Sequence, residues 1–435
     1  MERFALSRMK EWKENENRKP LIIRGARQVG KTWIMKTFGQ QYFEKTAYVN
    51  FDNNARMKQV FEGDLDIERL VLAISAETGV SIEAESTLII FDEIQEVPKA
   101  LTSLKYFYEN APQYAIVAAG SLLGVALHQG TSFPVGKVDF LDLYPLNFRE
   151  FLCAMGEKQF VSMLDSCDTQ MVTVFKTKYI ERLREYYFVG GMPEVVKDFS
   201  EKKDYNRVRV IQKNLINYYQ QDFSKHAEIK LVPRLNLVWN SIPMQLAKEN
   251  KKYIYGQVRE GSRAKDFELA IQWLLDCGLI HKVQRIQKPD LPLKAYIDFD
   301  AFKLFLVDIG LLIAMTDLDA KVIIEGNKIF TEFKGSLTEQ YILQQLISDV
   351  GVIPYYYSTQ NSKGEIDFLV QGKTSVIPIE VKAEENLKAK SLKAFCEKYQ
   401  PSYAVRTSMS DYREQDWMTN IPLYAIKWIE NYVNQ

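Results

Sequence analysis

Gly25-Ala26-Arg27-Gln28-Val29-Gly30-Lys31-Thr32 is a G-x-x-x-x-G-K-T loop, set between the apolar stretch Leu21-Ile22-Ile23 and the helix-compatible Trp33-Ile34-Met35-Lys36. Glycine at positions 25 and 30 lets successive backbone N–H groups turn inward on phosphate oxygens, and the following helix presents the positive end of its dipole to the same anion. Lys31 is expected to reach the β and γ phosphates, and Thr32 to hold Mg²⁺. All eight residues, Gly25 to Thr32, are therefore candidate nucleotide-binding residues, for ATP or GTP.

Thr87-Leu88-Ile89-Ile90-Phe91 is apolar over a strand length and ends in Asp92-Glu93, the pattern of a strand buried on both faces of a parallel sheet. Open α/β sheets bind their ligands at the carboxyl ends of the strands. Asp92 is thus placed to hold Mg²⁺ through water, and Glu93 to orient the attacking water. Residues 114 to 119 form the next apolar strand and lead into Gly120-Ser121; the Ser121 hydroxyl either senses the γ phosphate or belongs to a plain strand-end turn. Residues 46 to 50 supply one more strand. Short apolar strands alternating with helical segments from residue 21 to residue 143 indicate a parallel sheet covered by helices.

With Phe91-Asp92-Glu93-Ile94-Gln95, Ala119-Gly120-Ser121, Leu143-Tyr144-Pro145-Leu146-Asn147-Phe148-Arg149-Glu150-Phe151 and Gly190-Gly191-Met192-Pro193-Glu194, the chain resembles a prokaryotic AAA-type ATPase family of the AAA+ superfamily with a C-terminal domain of unknown function. The resemblance spans the whole chain. It implies an α/β protein with a P-loop AAA+ parallel sheet in residues 1–145. A helical lid and winged-helix region would follow in 146–302, and a restriction-endonuclease-like α/β domain in 303–435. It also implies ATP as the nucleotide. One departure stands out: where the family often shows Gly-Arg, this chain has Gly136-Lys137, and lysine lacks the planar fork of arginine. Arg149 is left as the residue to consider for an arginine finger.

Length and composition agree with several ordinary domains: 435 residues, 46% of them hydrophobic, suffice for two or three cores. Lys plus Arg equals Asp plus Glu at 56 each, so no global field draws the chain to nucleic acid or to an anionic membrane, and any such binding is local. Cys153, Cys167, Cys277 and Cys396 lie far apart without C-x-x-C spacing, and histidine occurs three times; neither a disulfide framework nor a zinc site is suggested. Residues 1 to 13 contain no apolar core of signal-peptide length, and no apolar run approaches the roughly 20 residues that span a bilayer. The expectation is a cytoplasmic chain with no membrane partner.

Residues 148 to 223 read as mostly helical, with Tyr179, Tyr186, Tyr187, Tyr218 and Tyr219 at spacings typical of packing. Residues 267 to 276 read as an apolar helix capped by left-handed Gly278, and 279 to 286 as a strand. The Pro-rich Lys288-Pro289-Asp290-Leu291-Pro292 would be the tip of a hairpin returning through residues 294 to 299, like the wing of a winged helix. Between residues 248 and 288 stand nine basic and five acidic residues, an excess that suits either DNA contact or an ordinary solvated face.

In the C-terminal third, Gly364-Glu365-Ile366-Asp367-Phe368-Leu369-Val370 and Ile377-Pro378-Ile379-Glu380-Val381-Lys382 read as two strands. A type II′ turn at Gly372-Lys373 would join them, with Glu365 opposite Glu380 and Asp367 opposite Pro378. Alternation sends Asp367, Glu380 and Lys382 to one face, which outlines a second Mg²⁺ site in which Asp367 and Glu380 bind the metal and Lys382 offsets developing charge. The spacing resembles the D…E-x-K core of restriction-like nucleases, and Glu339, in the helical stretch 336 to 346, matches the acid that family often has on its first helix. These residues either cut nucleic acid or belong to a nuclease-like fold that cuts nothing. The first expectation is thus an ATPase coupled to a nuclease-like domain that binds or acts on DNA. The alternative is an ATP-dependent switch whose inactive nuclease-like domain recruits a protein partner.

Overall fold

The computed structural model describes residues 1–120, 124, 134–248, 251–325, 331–359, 364–384 and 389–435. Its contacts divide the chain into two compact units: Glu2–Tyr144 together with Asp276–Leu279, and Pro145–Leu275 together with Ile280–Gln435.

The first unit is built on five parallel strands: β1 (Leu21–Arg24), β2 (Lys45–Asn50), β3 (Thr87–Asp92), β4 (Ala115–Ala119) and β5 (Asp139–Asp142), in the order β2-β3-β4-β1-β5. β3 and β4 are buried at every position, as their unbroken apolar runs require. Helices cover the sheet. Phe51, Phe61 and Phe91 pack edge to face on one side with centroids 5.3–5.7 Å apart, each ring burying enough apolar surface to contribute about 1.5–3 kcal/mol. Because β4 lies between β1 and β3, the loop after β1 and the acids at the end of β3 emerge at the same carboxyl edge of the sheet, two strands apart. β4 ends at Ala119 as expected, and Ser121 lies outside the described residues.

The second unit begins with helices, including Lys176–Val189 and Tyr205–His226. Tyr179, Tyr186, Tyr187 and Tyr219 are core residues, whereas Tyr218 is exposed. Eight strands follow in a mixed sheet: β6 (Ile280–Ile286), β7 (Ile297–Leu306), β8 (Tyr355–Ser358), β9 (Glu365–Gln371), β10 (Val376–Val381), β11 (Val405–Ser408), β12 (Arg413–Gln415) and β13 (Met418–Pro422), ordered β12-β13-β11-β10-β9-β8-β6-β7. The hairpin expected to form a separate wing is β6–β7, and it is part of this sheet: β6 also pairs in parallel with β8. The reason is visible in β7, whose residues 301 to 306 are all buried and could not stand as an exposed wing. A boundary at residue 302 would cut through this strand.

The β9–β10 hairpin corrects the expected turn. Gln371 pairs with Val376 and Leu369 with Pro378, so the loop is four residues long, closed by a 2.9 Å bond from Gly372 N–H to the Ser375 carbonyl. Thr374 and Ser375 belong to the turn because it is tethered elsewhere: Lys373 N–H donates to the Val433 carbonyl at 3.1 Å. The register moves by two residues, an even number, and the side chains keep their faces.

Two of the family-like blocks meet here. Leu146 N–H donates to the Gly191 carbonyl at 2.7 Å, the Leu146 carbonyl accepts from Tyr186 Oη at 2.6 Å, and Gly191 N–H donates to the buried Asp308 carboxyl at 2.6 Å. A Cβ on Gly191 would lie 2.1 Å from the Leu146 carbonyl oxygen, so the residue is glycine for close backbone approach. Gly191→Ala is expected to destabilise this unit by about 1–3 kcal/mol, read as a lowered urea midpoint; an unchanged midpoint would refute the steric account.

Candidate functional site

The loop after β1 curls through left-handed conformations at Gly25 (φ 145°), Gln28 (φ 66°) and Gly30 (φ 96°) before the helix Lys31–Tyr42 starts. Alternating handedness of this kind points backbone N–H groups into one concavity, an anion nest. Gly25 cannot be replaced without moving the chain, since a Cβ there would meet the Leu143 carbonyl oxygen at 2.1 Å. The loop is held from behind by Arg3, a residue that no motif marks. Its buried guanidinium donates to the Val29 carbonyl at 3.0 Å and to the Tyr144 carbonyl at 2.6 Å, across 26 and 141 residues of sequence.

Lys31 is 6% exposed and donates to the Gly25 and Ala26 carbonyls, both at 2.8 Å. Burial pushes its ammonium down to about 8, against the pull of Glu93 and Asp92. Thr32 Oγ1 donates to Asp92 Oδ2 at 2.7 Å, which joins the loop after β1 to the end of β3. Tyr48, on β2, donates its hydroxyl to the same oxygen at 2.9 Å, and Asp92 Oδ1 accepts the Glu93 N–H at 3.1 Å. Glu93 is itself left-handed (φ 51°), and Gln95 Nε2 donates to its Oε2 at 2.7 Å. This chain's residues fit Mg²⁺ and a triphosphate: a nest of N–H groups, a lysine, and a hydroxyl and carboxylate side by side at its mouth.

Arg149 does not serve as a free cation. It lies in the second unit, where it ion-pairs with Asp349 at 2.8 Å and with Asp165. Lys137 ion-pairs with Glu109 at 3.1 Å.

The second cluster lies in the mixed-sheet unit. Glu339, on the helix Thr331–Gln345, Asp367 on β9, Glu380 on β10 and Lys382 just beyond it come together; strand alternation gives Asp367, Glu380 and Lys382 a common face, whereas Glu339 was expected only from the nuclease-like resemblance. Lys382 Nζ is 2.6 Å from Glu380 Oε1, and Asp367 Oδ2 accepts the Val381 N–H at 2.7 Å. Two lysines were not foreseen. Lys303, fully buried on β7, ion-pairs with Glu365 and lies 3.6 Å from Glu339 Oε2; Lys251 ion-pairs with Glu339 Oε1. A lone charge inside Ala301-Phe302-Lys303-Leu304-Phe305-Leu306 was the available signal for Lys303. Lys251 belongs to the stretch considered for DNA contact and instead faces inward. Burial opposes the Lys303 charge, yet Glu339, Glu365 and Asp367 raise its pKa overall.

Burial, then the charges of Glu339 and Glu380, push the Asp367 carboxyl well above the usual carboxylate range. Burial likewise raises Glu380, while Glu339 is lowered because Lys251 and Lys303 outweigh its burial. Glu339 Oε2 and Glu380 Oε2 are buried with no hydrogen-bond partner among the described residues. Among the same residues, no group of three or more His, Cys, Asp or Glu is disposed to hold a metal ion.

An acid raised in the folded state contributes stability that is complete below its unfolded pKa and is lost as pH rises through the folded value. Asp367 therefore works against the fold near neutrality. Asp367→Asn is expected to melt higher than the parent at about pH 7, by roughly 2–4 °C per kcal/mol released, with the gain vanishing toward about pH 4. A gain of equal size at both pH values, or none, would contradict the assignment.

Residues 17–152 match the family described as "AAA domain", 180–322 match "Domain of unknown function (DUF8612)", and 334–426 match "Domain of unknown function (DUF4143)". No curated protein matches the chain. Among solved structures, the Walker-type ATPase PABY2304 of Pyrococcus abyssi is 15% identical over 72% of this chain and 95% of its own, with a TM-score of 0.44. The Aeropyrum pernix ORC1 protein in complex with DNA is 14% identical over 72% of this chain and 91% of its own, TM-score 0.27. The Thermotoga maritima RuvB Holliday junction branch migration motor is 12% identical over 64% of this chain and 87% of its own, TM-score 0.28. No helix among the described residues is long and apolar enough to cross a membrane. With its β2-β3-β4-β1-β5 sheet, nested loop and matched residues 17–152, the chain has an AAA-type P-loop ATPase fold, followed by helices and a mixed-sheet unit.

Proposed function

We propose that the P-loop unit binds ATP with Mg²⁺ and hydrolyses it by in-line attack of water on the γ phosphate. The contact between Thr32 Oγ1 and Asp92 Oδ2, 2.7 Å, supports this most directly, because it sets side by side the hydroxyl and the carboxylate that a P-loop metal requires. The loop from Gly25 to Thr32 would cradle the phosphates through its N–H groups. Lys31 would exchange two loop carbonyls for phosphate oxygens, recovering the charge that its burial disfavours. Mg²⁺, when bound, offsets negative charge on the triphosphate. Glu93, steadied by Gln95, would orient the water, and Ser121 would sense the γ phosphate. Glu93→Gln is expected to retain nucleotide and to lose turnover by about 100-fold or more. Phosphate release at the parental rate would assign the water to another residue.

A second reading concerns the mixed-sheet unit. The buried oxygens of Glu339 and Glu380 that lack a hydrogen bond, beside Asp367 and Lys382, support a nuclease-like centre in which Asp367 and Glu380 would take a divalent cation and the unit would engage nucleic acid. Lys251 and Lys303 support the competing reading, an ATP-dependent switch that recruits a protein partner, because they already offset the carboxylates that a metal would need. Plasmid nicking with Mg²⁺, parent against Asp367→Ala, separates the two. Nicking lost in the variant establishes the nuclease-like centre, and equal nicking or none removes it.

A further inference from the structure

We infer that Tyr48 is a positioning residue of the nucleotide site, holding the Asp92 carboxylate in the orientation that receives Mg²⁺. The inference rests on the ATP·Mg²⁺ reading above and names a residue outside the G-K-T and Asp-Glu motifs.

Strand register makes the arrangement possible. β2 runs parallel to β3, with Tyr48 beside Ile90 and Asn50 beside Asp92. Ala47 and Val49 enter the core on one face of β2, and alternation turns Tyr48 to the other, where it remains half-buried. Its ring lies under the helix that begins at Lys31: Lys36 Nζ, one turn beyond Thr32, stands 3.8 Å from the ring centroid. The phenol is thereby fixed at both ends, by a cation over its face and by the carboxylate at its tip.

The direction of each hydrogen bond follows from chemistry. A carboxylate offers acceptors alone, so both Thr32 Oγ1, at 2.7 Å, and Tyr48 Oη, at 2.9 Å, must donate to Asp92 Oδ2. The Tyr48 oxygen is then left able to accept as well. The Glu93 N–H holds the other oxygen, Oδ1. Asp92 thus has its rotation about the Cβ–Cγ bond fixed by donors on both oxygens, from three different stretches of chain. Without Tyr48, Oδ2 would keep Thr32 alone, the residue that must also serve the metal.

Hydrogen-bond partners behind a metal-binding carboxylate typically change metal affinity by about 10–100-fold when removed. The test measures binding of a fluorescent ATP analogue to the full chain, with Mg²⁺ titrated from EDTA upward. Tyr48→Phe is expected to raise the Mg²⁺ midpoint by about 10-fold while leaving nucleotide affinity in EDTA and the melting temperature at parental values. A purely structural role would move the EDTA affinity or the melting temperature and spare the midpoint. An unshifted midpoint in a folded Tyr48→Phe protein overturns the inference. Should that variant fail to fold, Lys36→Ala, at an exposed position, decides: it removes the cation that holds the ring and is expected to shift the midpoint the same way by a smaller factor, and no shift overturns the inference. If the parent itself shows no Mg²⁺-dependent nucleotide binding, the ATP reading fails first, a result distinct from either of these.

Discussion

The nucleotide unit depends on one constraint: parallel strands deliver all their carboxyl ends to a single edge. β1 and β3 are not neighbours, yet with β4 between them their ends lie close enough for Thr32 to donate to Asp92. The lysine, the hydroxyl and the acids are contributed from residues 31 to 93, and none would share an anion if the sheet order were different. The apolar filling of β3 and β4 serves more than stability: it holds that edge in place.

The two sites treat charge differently. At the P-loop, a lysine is buried against backbone carbonyls, so it is under-compensated and suited to an anion from outside. In the mixed-sheet unit, Lys251, Lys303 and Lys382 stand among Glu339, Glu365, Asp367 and Glu380, and most of the charge is balanced internally. What stays unbalanced is local: two buried oxygens without a hydrogen bond and a carboxyl whose pKa burial raises. Such strain is common where a fold trades stability for a reactive site.

The P-loop and the acidic strand end were legible because each is local. The glycines, lysine and threonine fall within eight residues, and an unbroken apolar strand ending in two acids has few other meanings. The β9–β10 pattern was legible for a related reason. A period of two survives an even slip in register, so Asp367, Glu380 and Lys382 kept a common face although the turn was longer than expected. The wing was misread because a hairpin looks the same in sequence whether its outer edge meets solvent or another strand.

Sequence alone thus determined the phosphate loop, the acids that face it, the parallel sheet that positions both, and the charged face of one hairpin, since every one of these is set by spacing along a short stretch of backbone. Tertiary structure decided the rest. It put Arg3 behind the loop, Tyr48 against Asp92, Arg149 between two aspartates, and Lys251 and Lys303 among the carboxylates. Most of those partners are tens to hundreds of residues apart, and which of them meet depends on strand order and packing, which no local periodicity encodes.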